Sequence, residues 1–419
     1  MKTPICLQAV ALAIALSSGM AMASDATPPS FGASLETLLE WSETHSPMIS
    51  AMQAETEAKR QQVVMARSLD DPSFGIEWRD IDSSSPTLNP TKVGSMKYTI
   101  SQMLPLWGKR DIKGRIADAN VGQAEQGVLA TRADVRQQIR LAYADRYRAL
   151  ASQEINRDIE RLLQQMDLAA RQRYQIGQAG QSDIIRLQTE LSMLRNEQLI
   201  LTGTANRATA RLAALLNVPV ETITAAPANL PMPPTDFRNA DWLSKAVATN
   251  PDLAGSRKSI ESAQGQRDLA GLNRRPGVEI GVSAIQMESR LTMYELMLKV
   301  EIPLQRASKN AERAEATAML NRARAQEEAQ LRMVEREINE MAVMLATARA
   351  QTELLDKTLN PQAELSFQST LASYQNGKGE FASLLEAQQQ IRRLRQMRLM
   401  ADIDQFQAWT GLLKISGDQ

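Results

Sequence analysis

Past residue 186 the chain keeps a heptad seam. Leu187, Leu191, Leu194, Gln198, Leu201, Ala205, Ala208, Leu212 and Leu215 alternate steps of four and three. Adding 200 to those positions gives Ala387, Ile391, Leu394, Arg398, Ala401, Gln405, Ala408 and Leu412, a weaker seam in the same phase. One such seam suits any long coiled coil. Its recurrence favours a duplicated architecture. Each seam starts just after a break. Tyr174-Gln175-Ile176-Gly177-Gln178-Ala179-Gly180-Gln181-Ser182-Asp183 is matched by Tyr374-Gln375-Asn376-Gly377-Lys378-Gly379-Glu380-Phe381-Ala382-Ser383, and 374 − 174 = 200. Gly177 and Gly180 free the backbone for left-handed turns, Ser182 offers an N-cap oxygen, and Asp183 suits the positive end of the next helix. The pattern predicts two long antiparallel helical hairpins with tips at about 176–181 and 376–380.

Upstream of each hairpin the period changes. A helical pattern over 34–69 stops at Asp71-Pro72. Strand alternation follows over about 73–81, with Phe74, Ile76 and Trp78 on one side, and again over 93–103. Leu104-Pro105-Leu106-Trp107-Gly108-Lys109 closes this part, and helix is expected from near Asp111 to Tyr174. The second half repeats the order: helix over 241–272, strands over about 277–286 and 293–303, Ile302-Pro303-Leu304, then helix from about 308 to 374 with a kink at Pro361. Asn250-Pro251 answers Ser46-Pro47, and Arg275-Pro276 answers Asp71-Pro72. The expected organisation is a first repeat over 24–217, a proline-rich linker over 218–238 crossing the outside, and a second repeat over 239–415.

The strands have the length of tilted outer-membrane β-strands. Four of them cannot close a barrel, and an open sheet would leave unpaired edges in lipid. Three copies would close a barrel of twelve, with Trp78, Tyr98, Trp107 and Tyr294 as an interfacial belt. A small soluble sheet capping a helical bundle is the alternative. The expected fold class is therefore mainly α with a small β part: duplicated long helical hairpins forming an α-barrel of coiled-coil type, plus four strands per chain contributing to a trimeric twelve-stranded outer-membrane β-barrel.

Composition narrows the chemistry. Residues 1–23 read as a Sec-type signal peptide: Lys2, an apolar run, and Ala21-Met22-Ala23 as the cleavage site. The single cysteine, Cys6, lies inside it, so the mature chain would have no disulfide, no thiolate metal site and no lipid anchor. The 48 basic residues balance 48 acidic ones, which gives nucleic acid no purchase. His45 is the only histidine, so no imidazole pair or histidine-based triad can form. No catalytic residue and no cofactor is expected. Met48/Met52, Met293/Met297, Met341/Met344 and Met397/Met400 have thioethers suited to soft cations, but Met293/Met297 fall on a strand and the others read as core filler. No metal site is assigned.

The duplicated helix–strand–strand–helix order, the two Leu/Ile-Pro-Leu junctions and the paired tips together resemble the TolC family of trimeric outer-membrane efflux ducts, over residues 34 to 415. Leu104-Pro105-Leu106-Trp107-Gly108-Lys109 further resembles a junction found in the heavy-metal branch of CusC and CzcC type. The resemblance implies a homotrimer set in outer-membrane lipid, with a helical tunnel in the periplasm. It also implies a periplasmic membrane-fusion adaptor docked on the tips (Tyr174, Gly177, Gly180, Tyr374, Gly377, Gly379) and an inner-membrane pump of RND type. Pro105, Gly108 and Pro303 would mark the barrel–helix junctions. The periplasmic gate would fall at Asp183, Glu386 and Ser383, where Ser383 departs from the acidic residue expected. For Asp183 and Glu386, simple helix N-terminal charge stabilisation is the competing reading. Other cargoes consistent with the family are drugs or secreted proteins; a soluble periplasmic coiled-coil spacer is the reading from a different class.

Overall fold

The computed structural model describes residues 31–81, 86–90, 93–234, 238–287 and 290–417. The expected signal peptide, residues 82–85 and 91–92 between the first two strands, and positions 235–237 of the expected linker lie outside them. In chain order the elements are α1 (Leu35–His45), α2 (Pro47–Arg67), β1 (Ser73–Arg79), β2 (Ser95–Leu104), α3 (Lys109–Gln175) and α4 (Gln181–Leu216). Then come α5 (Asn239–Thr249), α6 (Pro251–Leu272), β3 (Gly277–Met287), β4 (Arg290–Glu301), α7 (Arg306–Leu354), α8 (Asn360–Gln375) and α9 (Phe381–Ile415). The 67 residues of α3 span about 100 Å at ~1.5 Å per residue.

Two helical patterns expected to be continuous are each divided. Ser46 and Asn250 take extended backbone, and Pro47 and Pro251 open new helices. Proline is at home in the first turn, where its missing N–H has no intrahelical role, so the apolar period runs on while the helix restarts. Asn250 caps the second restart by accepting from the Leu253 N–H at 2.9 Å. Just before Pro361, where a kink is expected, the helix contains a π turn over Leu355–Leu359, in which the Asn360 N–H bonds to the Leu355 carbonyl. Pro361 cannot supply an N–H to residue 357, and the widened turn removes that need.

The strands form one antiparallel sheet in the order β1-β2-β3-β4, with pairs such as Phe74↔Ile100, Ile100↔Val282 and Val282↔Leu296. These residues share one face, and all are exposed together with Ile76, Trp78, Ile280, Leu298 and Val300. The opposite face is polar and cross-linked between strands. Ser73 and Ser101 hydroxyls lie 2.8 Å apart, Ser101 donates to Glu279 at 2.6 Å, Lys299 to the same carboxylate at 3.0 Å, and Lys97 to Glu295 at 2.6 Å. Both edge strands are open in one chain.

Below the sheet, the predicted seams point inward. Leu187, Leu194, Ala205, Ala208 and Leu212 are buried on α4, as are Ala387, Ile391, Leu394, Ala401, Gln405, Ala408 and Leu412 on α9. The two polar residues of the second seam have partners: Arg398 donates to Asp356 at 2.6 Å, and Gln405 to Thr352 at 2.8 Å. The segment after α4 does not merely cross the outside. Ile223 and Leu230 enter the core beside Tyr143, Leu212 and Phe406. Arg146 donates to the Ala225 carbonyl at 2.6 Å, and Tyr143 to that of Ala33 at 2.8 Å. Of the methionines read as filler, Met341 and Met344 pack against a core cluster. Met48, Met397 and Met400 instead lie on faces that one chain leaves open.

Candidate functional site

The two hairpin tips are built by the same backbone device. Gly177 and Gly377 have φ of +72° and +76°. Gly177 N–H bonds to the Tyr174 carbonyl and Gln178 N–H to that of Arg173, at 3.0 and 2.8 Å. Gly377 and Lys378 repeat this on Tyr374 and Ser373 at 3.1 and 3.0 Å. This pair of bonds satisfies the last carbonyls of α3 and α8. The second glycines act differently from expectation. Gly180 is extended, with φ of −83°, and is itself the N-cap of α4. The helix therefore starts before Ser182, whose hydroxyl caps nothing and instead faces the Asp183 carboxylate at 3.5 Å. Gly379 is favoured by closeness: a Cβ there would lie 3.0 Å from the Tyr374 nitrogen and 3.2 Å from Ser373 backbone, tighter than ordinary contact.

Within one chain the tips are clamped together. The Arg173 guanidinium donates to the carbonyls of Tyr374, Gly379 and Gln178 at 3.0, 3.3 and 2.9 Å. It also lies 4.5 Å from the centre of the Tyr374 ring. Tyr374 meets Phe381 edge-on at 5.7 Å and is buried with Leu371 and Leu384. Its hydroxyl is buried and makes no full hydrogen bond among the described residues, with the Asp183 carboxylate as its polar neighbour. Burial, then the nearby Asp183 charge, push its pKa up, while Arg173 opposes them. Tyr174, the equivalent residue 200 positions earlier, is 47% exposed.

Of the predicted gate residues, Asp183 is half-buried beside Tyr374, whereas Ser383 and Glu386 are exposed on the first turns of α9. The structure thus joins Asp183 to the second tip and leaves Glu386 on an open face. Sequence reasoning missed Arg173 and Phe381. The signal available was that the first tip carries Arg173-Tyr174 where the second carries Ser373-Tyr374.

At the other end of the long helices, Pro105 sits in a tight turn closed by the Leu106 N–H on the Leu104 carbonyl at 2.9 Å. Trp107 and Gly108 follow with φ of +66° and +74°, and Gly108 is the N-cap of α3. After Pro303, the Arg306 N–H closes a similar turn on Leu304 at 2.9 Å. These turns re-aim the chain from sheet to helix. Among the described residues no group of three or more His, Cys, Asp or Glu side chains could hold a metal, and no helix is long and apolar enough to cross a membrane.

The family described as outer membrane efflux protein matches residues 38–218 and 242–418. The solved outer-membrane channel OprN superposes with a TM-score of 0.80 at 17% identity, over 92% of this chain and 90% of its own. The outer membrane protein VceC of Vibrio cholerae gives 0.79 at 18% identity, over 91% and 96%. CusC, crystallised in work on its folding and transmembrane channel formation, gives 0.76 at 16% identity, over 92% and 93%. No curated protein matches by sequence.

Proposed function

The chain belongs to the outer membrane efflux protein family, and from that premise we propose that it is the passive outer-membrane duct of a tripartite efflux system. Three copies would close their sheets into one twelve-stranded barrel and their hairpins into one periplasmic tunnel. The observation that carries this is the sheet. Its one apolar face is exposed from Phe74 to Leu298 and both its edges are open, a state that lipid tolerates only in a closed barrel. A soluble spacer has no use for such a face. The duct itself makes and breaks no covalent bond; an inner-membrane pump of RND type supplies the energy, and a periplasmic adaptor seals the tips.

The cargo we assign is small cations, heavy-metal ions among them. Support comes from the junction Pro105-Leu106-Trp107-Gly108-Lys109 and from Glu386. Three-fold symmetry would turn that exposed carboxylate into a ring, which attracts cations and repels anions. Two measurements test the reading. Detergent-extracted protein should scatter light as three chains per particle and should stay with outer membranes through a carbonate wash. A deletion strain should become sensitive to metal salts. Sensitivity to drugs alone would reassign the cargo, and a monomer released by carbonate would favour the spacer.

A further inference from the structure

Along the helices many guanidiniums are matched with carboxylates: Arg60 with Glu125, Arg171 with Asp167, Arg392 with Glu197, Arg395 with Asp158. Others have no such match, and four of those gather at one edge of the sheet. Register pairs Leu104↔Val278 and Gly277↔Glu301 bring the end of β2, the start of β3 and the end of β4 to the same edge, where α3 and α7 begin. Arg110, Arg274, Arg275 and Arg306 gather there. All are exposed, and none has a side-chain hydrogen bond or carboxylate partner among the described residues. Of the carboxylates nearby, one is engaged, while Asp70, Asp71, Asp111 and Glu301 are exposed. Glu312 is held by Lys309 and Asn273, Asp111 stands in the first turn of α3, and Glu301 ends β4 on the polar face. Asp70 and Asp71 precede β1.

The same edge is apolar as well as basic. Leu106, Trp107, Ile302 and Leu304 are exposed there, Leu304 by 82%. Ile302 and Leu304 continue the apolar row Leu296, Leu298, Val300 beyond the last paired residues. Trp107 is fixed in place: its indole N–H donates to the Pro276 carbonyl at 2.9 Å, and the Arg275 guanidinium lies 5.3 Å from the ring centre. From the sheet toward the helices the order is thus apolar band, indole, unpaired guanidiniums. That is the order of hydrocarbon, interface and phosphate in one lipid leaflet. Guanidinium is weakly hydrated and matches phosphate oxygens in bidentate geometry.

We propose that this rim is a docking surface for anionic phospholipid headgroups in the periplasm-facing leaflet, anchored at Arg275–Trp107 and extended by Arg306, Arg274 and Arg110. The proposal rests on the barrel reading above. The partner is a lipid, not a free anion, because the guanidiniums continue an exposed apolar face that only acyl chains would cover.

The test uses the full trimer, delipidated in mild detergent and reloaded with phosphatidylglycerol, or with phosphatidylcholine of the same chains. Native mass spectrometry counts the lipids retained. The parent should hold phosphatidylglycerol in preference. The double variant Arg275→Gln/Arg306→Gln should retain it about fivefold less or worse, whereas Arg393→Gln, an exposed unpaired arginine of the tunnel, should match the parent. Arg275→Lys/Arg306→Lys should recover part of the loss, which separates a charge effect from a folding defect. Equal retention by the parent and the double glutamine variant overturns the proposal. So does displacement of the bound lipid by millimolar inorganic phosphate, which would mark a free-anion site. If the parent fails to insert into vesicles at all, the barrel reading falls, and the rim falls with it. Insertion without lipid preference removes the rim alone.

Discussion

The guanidinium of Arg173 covers the ring of Tyr374, 201 residues later, and donates to that residue's own carbonyl at 3.0 Å. One side chain of the first hairpin thereby holds both the ring and the backbone of the second. The two tips of a chain are a single unit before any partner touches them.

Removing that side chain should loosen the unit without unwinding the helices. For Arg173→Met we expect a local loss of about 1–3 kcal/mol, since charged hydrogen bonds to two partly buried carbonyls disappear. Amide exchange over residues 374–381 should quicken about tenfold or more, while far-ultraviolet circular dichroism stays unchanged. Unaltered exchange there would make the clamp incidental.

Tyr374 offers a cleaner dissection. Its ring is packed, but its hydroxyl makes no full hydrogen bond among the described residues and faces the Asp183 charge, so Tyr374→Phe should be neutral or slightly stabilising, whereas Tyr374→Ala should cost about 3–5 kcal/mol. The phenol's pKa is raised by burial and by Asp183, so the folded state keeps its proton where the unfolded chain loses it. Stability should then fall as pH rises above about 10, toward the folded pKa, and Tyr374→Phe should flatten that fall. Thermal melts from pH 8 to 11 on both proteins check the sign.

Proline at the tip glycines tests docking. Gly177 and Gly377 combine positive φ with an N–H that closes the turn, and proline supports neither. Gly177→Pro and Gly377→Pro should each abolish export while leaving the trimer and its membrane location intact. Export surviving both changes would show that the tips are not where the adaptor binds.

The acidic ring proposed at Glu386 predicts ion selectivity. Trimers in planar bilayers should conduct small cations in preference to anions. Glu386→Gln should weaken that preference and relieve block by divalent cations. Glu335→Gln, whose carboxylate already accepts from Arg332 at 2.8 Å, should do neither. Equal selectivity in Glu386→Gln and the parent would return the residue to helix capping.

Much of this fold is written locally, and those parts were legible. The C-terminal glycines of α3 and α8, the alternation from Phe74 to Trp78 and the heptad seams are each decided by near neighbours in sequence. The restarts at Pro47 and Pro251 were not legible, because proline in a first turn interrupts hydrogen bonding but not the apolar period. The start of α4 was misplaced because Ser182 is a good cap by type, while the extended Gly180 lets the helix begin earlier. The Arg173–Tyr374 clamp joins residues far apart in sequence and leaves no periodic trace. Only the mismatch between Arg173 and Ser373 in otherwise parallel tips hinted at it. At the gate, the charges were readable but the faces they occupy were not.

The π turn at Leu355–Leu359 carries one more implication. Buried positions run 345 and 348 before it, 355 at its first residue, and 363, 367, 371 and 374 after it, so the interval across the turn is eight where a heptad gives seven. One surplus residue is absorbed there. Deleting a single residue within 355–359 would let the helix close into uninterrupted α geometry, and everything beyond would turn by about 100° about the axis. Tyr374 would then leave Arg173 and face outward, although no residue near either had changed. The angular aim of the second tip is set by a count of residues some twenty positions away, which makes this short stretch intolerant of length change even where it tolerates change of side chain.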